Sequence, residues 1–164
     1  MCASGVVNKV SKLRQRGFTL IELMMVVAMV AILASIALPA YSEYIRRGQL
    51  PEAFTTLADY RSKMETYFLD HKNYGAAGDC ASNASASSWN TFPRTVKYFR
   101  YDCELLSEDG TDAMSYRLTA TGVDGQAIGH TYTLDKNGIK STTEFKGATY
   151  TGNTCWFSKT AACD

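Results

Sequence analysis

The chain has 164 residues, 46% of them hydrophobic, with 17 Lys and Arg against 16 Asp and Glu. That length suits one modest domain plus a long helix, and so even a charge balance argues against a strongly basic nucleic-acid-binding chain. With five cysteines, two histidines and no Cys-x-x-Cys spacing, no metal site and no cofactor is expected.

Residues 1–17 carry Lys9, Lys12, Arg14 and Arg16 and no acid. From Phe18 to Leu38 the chain is apolar; Glu22 is the only ionisable side chain there, and Thr19 and Ser35 are the only other polar ones. A helix of about 20 such residues spans roughly 30 Å, enough to cross a bilayer. The basic residues ahead of it place the N-terminus in the cytoplasm, opposed weakly by Arg46 and Arg47 beyond the run.

A secretory signal puts its small-residue cleavage site after the apolar core. Here the small residue, Gly17, stands before it. A cut after Gly17 keeps the apolar helix on the product and creates an amine at Phe18, one turn from Glu22. A carboxylate at mid-membrane costs about 2.5–3.5 kcal/mol, less near a helix end, and a neighbour's amine would compensate it.

The run Gly17-Phe18-Thr19-Leu20-Ile21-Glu22 resembles the class III signal of type IV pilins at every position. The resemblance implies a prepilin peptidase that cuts between Gly17 and Phe18 and N-methylates Phe18. It also implies that Glu22 pairs with a neighbouring subunit's Phe18 amine during filament assembly. The leader, residues 1–17, is longer than is usual in that family; initiation at Val10 would shorten it to eight residues. Cleavage removes four basic residues and no acid, taking the formal charge from +1 to −3.

Residues 18–38 are thus expected as the membrane and filament-core helix, and 39–70 as its amphipathic continuation. Apolar residues recur at Tyr41, Tyr44, Ile45, Leu50, Phe54, Leu57, Tyr60, Met64, Tyr67 and Phe68 in steps that suit a helix. Pro39 and Pro51 each remove a backbone donor, and Gly48 softens the turn between them, so gentle kinks are expected. In similar pilins the segment before the first proline loses helicity on assembly. This chain has Ala31, a better helix former, where that family often has glycine.

Residues 71–95 read as a long polar surface connection, with serines at 82, 85, 87 and 88 for which a solvated loop is preferred to O-glycosylation. From Val96 the period becomes two. Strands are expected over 97–103, 116–121, 128–134 and 139–143, with a hairpin at Asp135-Lys136-Asn137-Gly138. The fold class is therefore α+β: a long N-terminal helix packed on an antiparallel sheet of about four strands, which is the type IV pilin fold. Residues 71–164 form the connection, the sheet and the C-terminal region.

Cys2 lies in the leader. Cys80, Cys103, Cys155 and Cys163 fall in a region expected outside the cytoplasm, where disulfides form, and allow three connectivities. The pilin resemblance implies Cys155–Cys163, closing a short C-terminal loop, with Cys80–Cys103 as the remainder.

No nucleophile motif or phosphate-cradling glycine loop is present, so no catalytic residue is expected. His71 and His130 read as a surface and a strand residue. Asp109, Asp112, Asp124 and Asp135 read as turn residues rather than the calcium loop of a pseudopilin. Tyr132 to Gly138 and Thr154-Cys155-Trp156 resemble PilE-type minor pilins. The expected function is a structural subunit of a type IV pilus, a minor pilin supporting adhesion, twitching motility or DNA uptake. The alternatives are the major pilin, a pilus-borne DNA receptor and a type II secretion pseudopilin. Expected partners are other pilin subunits, prepilin peptidase, the inner-membrane assembly platform and, before assembly, membrane lipid. Nucleic acid is the disfavoured partner: Arg94, Lys97, Arg100, Lys136, Lys140, Lys146 and Lys159, with Trp156, are better read as solvated charges on a chain of net −3. The protein is expected in the inner membrane first and in the extracellular pilus afterwards.

Overall fold

The computed structural model describes residues 17–76, 78–82, 89–106 and 114–163. Residues 1–16 of the leader with Cys2 and Val10, serines 85, 87 and 88, and Asp109 and Asp112 lie outside the described residues. Among the described residues one α-helix, α1 (Leu20–His71), is followed by eight strands. Backbone contacts divide the chain into two units, 1–39 and 40–164.

In the first unit every described apolar residue larger than alanine is exposed, from Phe18 at 79% to Ile36 at 69% and Leu38 at 69%. Nothing among the described residues covers this surface. Ser35 donates its hydroxyl to the Ile32 carbonyl at 2.7 Å, so the polar group inside the run is satisfied by its own helix. The helical assignment continues through Pro39, Gly48 and Pro51.

In the second unit α1 buries Arg46, Leu50, Ala53, Leu57, Tyr60, Met64 and Tyr67. The alternating steps of four and three keep these residues on one stripe. Tyr41 and Tyr44, which sequence periodicity grouped with the apolar positions, are 66% and 75% exposed because they fall off that stripe.

The stripe packs on a six-stranded antiparallel sheet rather than one of about four. Its strands are β3 (Arg94–Thr95), β4 (Phe99–Leu106), β5 (Ser115–Gly122), β6 (Thr131–Asp135), β7 (Lys140–Phe145) and β8 (Ala148–Thr149), paired in chain order. The four expected strands correspond to β4–β7; β3 and β8 are two-residue edges too short to show a period. The 71–95 connection also holds a small hairpin of β1 (Gly75–Ala76) and β2 (Asp79–Cys80). Ile128 and His130 precede β6 rather than belonging to it, because a 3₁₀ turn at Gly125–Ala127 occupies the approach.

The inward face of the sheet carries Phe99, Tyr101, Tyr116, Leu118, Ala120, Tyr132 and Leu134. A core so rich in tyrosine is stable only if each hydroxyl finds a partner. Tyr101 donates to the Glu52 carbonyl, Tyr116 to the Glu65 carboxylate and Tyr132 to the Phe157 carbonyl. Burial pushes all three hydroxyls above their usual pKa, so they stay protonated and donate. Burial and the Glu65 carboxylate push Tyr74, which also donates to Glu65, up to about 12.

On β7 the pairing shifts between Thr131 and Tyr132, whose partners are Glu144 and Thr142. The extra residue, Thr143, lets Thr142 and Phe145 both face inward although they are three apart. The tail is fastened there. The Asn153 side-chain amide exchanges two 2.7 Å bonds with the Thr142 backbone, like one residue of a further strand. Disulfides join Cys80 to Cys103 and Cys155 to Cys163. The first ties the β1–β2 hairpin to β4; the second closes the tail.

Candidate functional site

Three places carry chemistry that the core does not consume. The first is the start of α1. Thr19 accepts the Glu22 backbone N–H on its hydroxyl at 3.2 Å, so it is the helix cap. Gly17 and Phe18 precede the first helical turn and are exposed, leaving the bond between them outside the helix. Glu22 is exposed in the first turn, where a negative charge opposes the helix dipole favourably. No cation among the described residues lies within ion-pair distance of it. The cap was readable from the Thr-x-x-Glu spacing before an apolar run.

The second is the base of the folded unit. Arg46 is 5% exposed. It pairs with Glu43 through two nitrogens, lies 5.2 Å from the Phe145 ring centroid and reaches the Lys159 carbonyl at 3.5 Å. Lys146 joins from the β7–β8 turn, 2.6 Å from Glu43. His130 also packs on Phe145; it is 3% exposed, with its ring 5.0 Å away and perpendicular. Its Nδ1 faces the carbonyls of Ala127 and Ile128, both acceptors, so Nδ1 carries the proton. Its Nε2 is buried without a hydrogen-bond partner among the described residues. Burial, and secondarily the Arg46 charge, hold its pKa below the usual histidine value. Sequence reading used Arg46 only as a charge beyond the apolar run that weakly opposes the expected topology; nothing local marks it for burial.

The third is the distribution of cations. Arg94 and Arg100 lie close in sequence, but Arg94 pairs across from Tyr101 and Thr95 from Arg100, which puts the two arginines on opposite faces. Arg100 is bonded to Asp102, and Lys146 to Glu43. Around the β6–β7 turn the structure gathers a different set. The Arg61 guanidinium donates to the Lys136 carbonyl and lies 3.5 Å from where a Cβ on Gly138 would be. Lys136 donates to the Met114 carbonyl, and the Lys140 ammonium stands 4.8 Å from the Trp156 ring centroid. Trp156 stacks on Phe54 at 5.0 Å and donates its indole N–H to the Thr133 carbonyl, so it is a packing residue rather than a free stacking platform. Arg61, on the helix, is a member of this group that sequence proximity could not reveal. No cluster of three metal-ligating side chains occurs among the described residues.

Residues 39–136 match a family model described as type IV minor pilin ComP, DNA uptake sequence receptor. Residues 12–38 match the prokaryotic N-terminal methylation motif. The chain is 35% identical over 121 residues to the fimbrial protein EcpC of Eikenella corrodens, covering 73% of each chain. It is 36% identical over 126 residues to a fimbrial protein of Moraxella nonliquefaciens, covering 73% of this chain and 77% of that one. It is 45% identical over 120 residues to the type IV major pilin protein PilE1 of Neisseria gonorrhoeae, covering 73% and 62% respectively. A solved structure of the non-core minor pilin PilV of Neisseria meningitidis aligns at TM-score 0.44 and 18% identity over 65% of this chain and 95% of that chain, too low a likeness to carry an argument.

Proposed function

The chain belongs to the type IV pilin family, with a ComP-type minor pilin domain, and from that premise we propose that it is a filament subunit whose folded unit binds DNA. The match over 39–136 carries this reading. Net charge, which disfavours nucleic acid, is a property of the whole chain, whereas phosphate binding is local. Arg61, Lys136 and Lys140 around the β6–β7 turn are the local group that supports it. Because Trp156 is packed between Phe54 and Lys140, binding rests on phosphates rather than on base stacking.

Anisotropy titration of a labelled duplex with the full chain in detergent tests this at several salt concentrations. A Lys136→Gln/Lys140→Gln variant is expected to bind more weakly at every salt, with a log–log salt slope shallower by roughly two, about one for each phosphate no longer neutralised. Wild-type protein that fails to bind at low salt, or a variant with an unchanged slope, refutes the reading.

At the N-terminus, prepilin peptidase cuts between Gly17 and Phe18 and N-methylates Phe18, and Glu22 then meets the Phe18 amine of a neighbour delivered by the assembly platform. The methylation-motif match, the exposed Gly17–Phe18 bond and the uncompensated Glu22 support this sequence of events. Glu22→Ala is expected to leave the Phe18 terminus intact in membranes and to lower the protein's abundance in sheared filaments. Undiminished incorporation refutes the pairing. The identity to a major pilin favours a second reading, that this chain builds the filament itself. Quantitative mass spectrometry of sheared filaments separates the two: trace level marks a minor pilin, dominance the major one.

A further inference from the structure

The first stretch of α1 in the folded unit, residues 40–49, is held to the sheet differently from the rest of the helix. From Leu50 on the contact is apolar: Leu50, Ala53, Leu57, Tyr60, Met64 and Tyr67 are buried. Within 40–49 only Arg46 is buried. An open groove of about 570 Å³, lined by Tyr44, Ile45, Arg47, Gly48 and Gln49 with Tyr98, leaves dispersion contact incomplete there. The attachments are polar instead. Glu43 pairs with Lys146 at 2.6 Å and with Arg46. Arg46 reaches the Lys159 carbonyl at 3.5 Å and lies 5.2 Å from the Phe145 ring centroid. Gln49 accepts the Gln126 backbone N–H at 2.7 Å. The stretch is also weak as a helix. Pro39 and Pro51 deny a donor to the Ser35 and Arg47 carbonyls, and Gly48 is a poor helix former.

Lys146, in the β7–β8 turn, carries a second sign. Its φ of 53° lies in the left-handed region, where a side chain is strained. Gly147 follows at φ 77°, and two positive φ values in succession suit Asn-Gly or Gly-Gly rather than Lys-Gly. A strained residue held in place points to a role for its side chain, and this side chain is the one that reaches Glu43. We propose that residues 40–49 form a joint at the base of the folded unit. Glu43, shared by Arg46 and Lys146, latches the stretch to the β7–β8 turn. Releasing the latch frees the stretch while the core from Leu50 onward stays closed. The order follows from what each region loses on opening. Opening 40–49 uncovers one arginine and polar contacts that water replaces, whereas opening around Leu57 uncovers apolar side chains. The joint lets α1 ahead of Leu50 change course without disturbing the sheet or the group of Arg61, Lys136 and Lys140. It rests on the geometry of the folded unit and not on the DNA reading.

The test is amide hydrogen exchange of the full chain in detergent, read peptide by peptide. In the wild type, amides over 43–49 are expected to be less protected than those over 57–67. Lys146→Asn removes the latching cation and gives the turn a residue that accepts positive φ. It is expected to speed exchange over 43–49 roughly fivefold, the effect of one part-exposed ion pair. Exchange over 57–67 should stay level or slow, because the turn is relieved of strain. Glu43→Gln strands the buried Arg46 and should speed exchange over 43–49 at least about tenfold. Lys63→Gln, which breaks the exposed pair with Asp59 elsewhere on α1, is expected to leave 43–49 unchanged. Equal protection of the two stretches in the wild type overturns the proposal. So does Lys146→Asn if it shifts both stretches by the same factor or leaves 43–49 unmoved, and so does Glu43→Gln if it opens 57–67 as much as 43–49.

Discussion

The residue with the sharpest physical consequence is His130. Its Nδ1–H is spent on two carbonyls, and its Nε2, the acceptor nitrogen of the neutral ring, is buried without a hydrogen-bond partner among the described residues; the Phe145 ring, which Arg46 also approaches, packs on it. The hydrogen bonds to the Ala127 and Ile128 carbonyls and, after them, the Glu144 charge favour protonation, and they do not outweigh burial. The folded pKa lies below the unfolded value of about 6.5, so the unfolded chain takes up the proton first. Stability is complete above the unfolded pKa, falls as pH drops through it, and levels off below the folded pKa. Thermal unfolding between neutral pH and pH 5 should show this decline, and His130→Phe should flatten it. An equal decline in both proteins would assign it to other groups. None of this is visible in the sequence, where His130 is an ordinary residue beside a strand. Burial and the orientation of two carbonyls are properties of the folded site.

At the scale of elements, legibility follows period. The helix and the four long strands repeat their pattern enough times to be read. The two-residue edges, the Thr143 bulge and the Asn153 side chain standing in for a strand do not repeat at all. One meeting of elements is decided by a missing atom. At Gly122, the end of β5, a Cβ would stand 1.8 Å from the Ala127 carbonyl oxygen, a backbone atom that cannot swing aside. Gly122→Ala must move the 3₁₀ turn, and with it the carbonyls that hold His130. A loss of about 2–3 kcal/mol is expected in urea unfolding, on the scale of overpacking at a rigid site. A loss below about 0.5 kcal/mol, the usual effect of a surface change, would show that the turn yields freely.

For the whole molecule, the two units differ in what holds them. Among the described residues the buried hydrophobic core begins at Leu50, in the second unit. Residues 18–38, apolar apart from Thr19, Glu22 and Ser35, leave their large side chains exposed. A chain beginning at Ala40 should therefore unfold cooperatively, with a urea midpoint close to that of the full chain in detergent. A non-cooperative transition would mean that the apolar segment is needed for the fold.

The sequence by itself determined the apolar segment, the N-terminal methylation motif, the long helix and the antiparallel sheet, and with them the family. These depend on composition, short motifs and periods of two or three and a half residues, all local along the chain. The tertiary structure decided that Arg46 is buried and Tyr44 is not. It also decided that Arg61 joins Lys136 and Lys140 while Arg94 and Arg100 part, and that Trp156 is packed rather than free. Each of those depends on which residues from distant stretches meet, and that is fixed only when α1 lies on the sheet in one register.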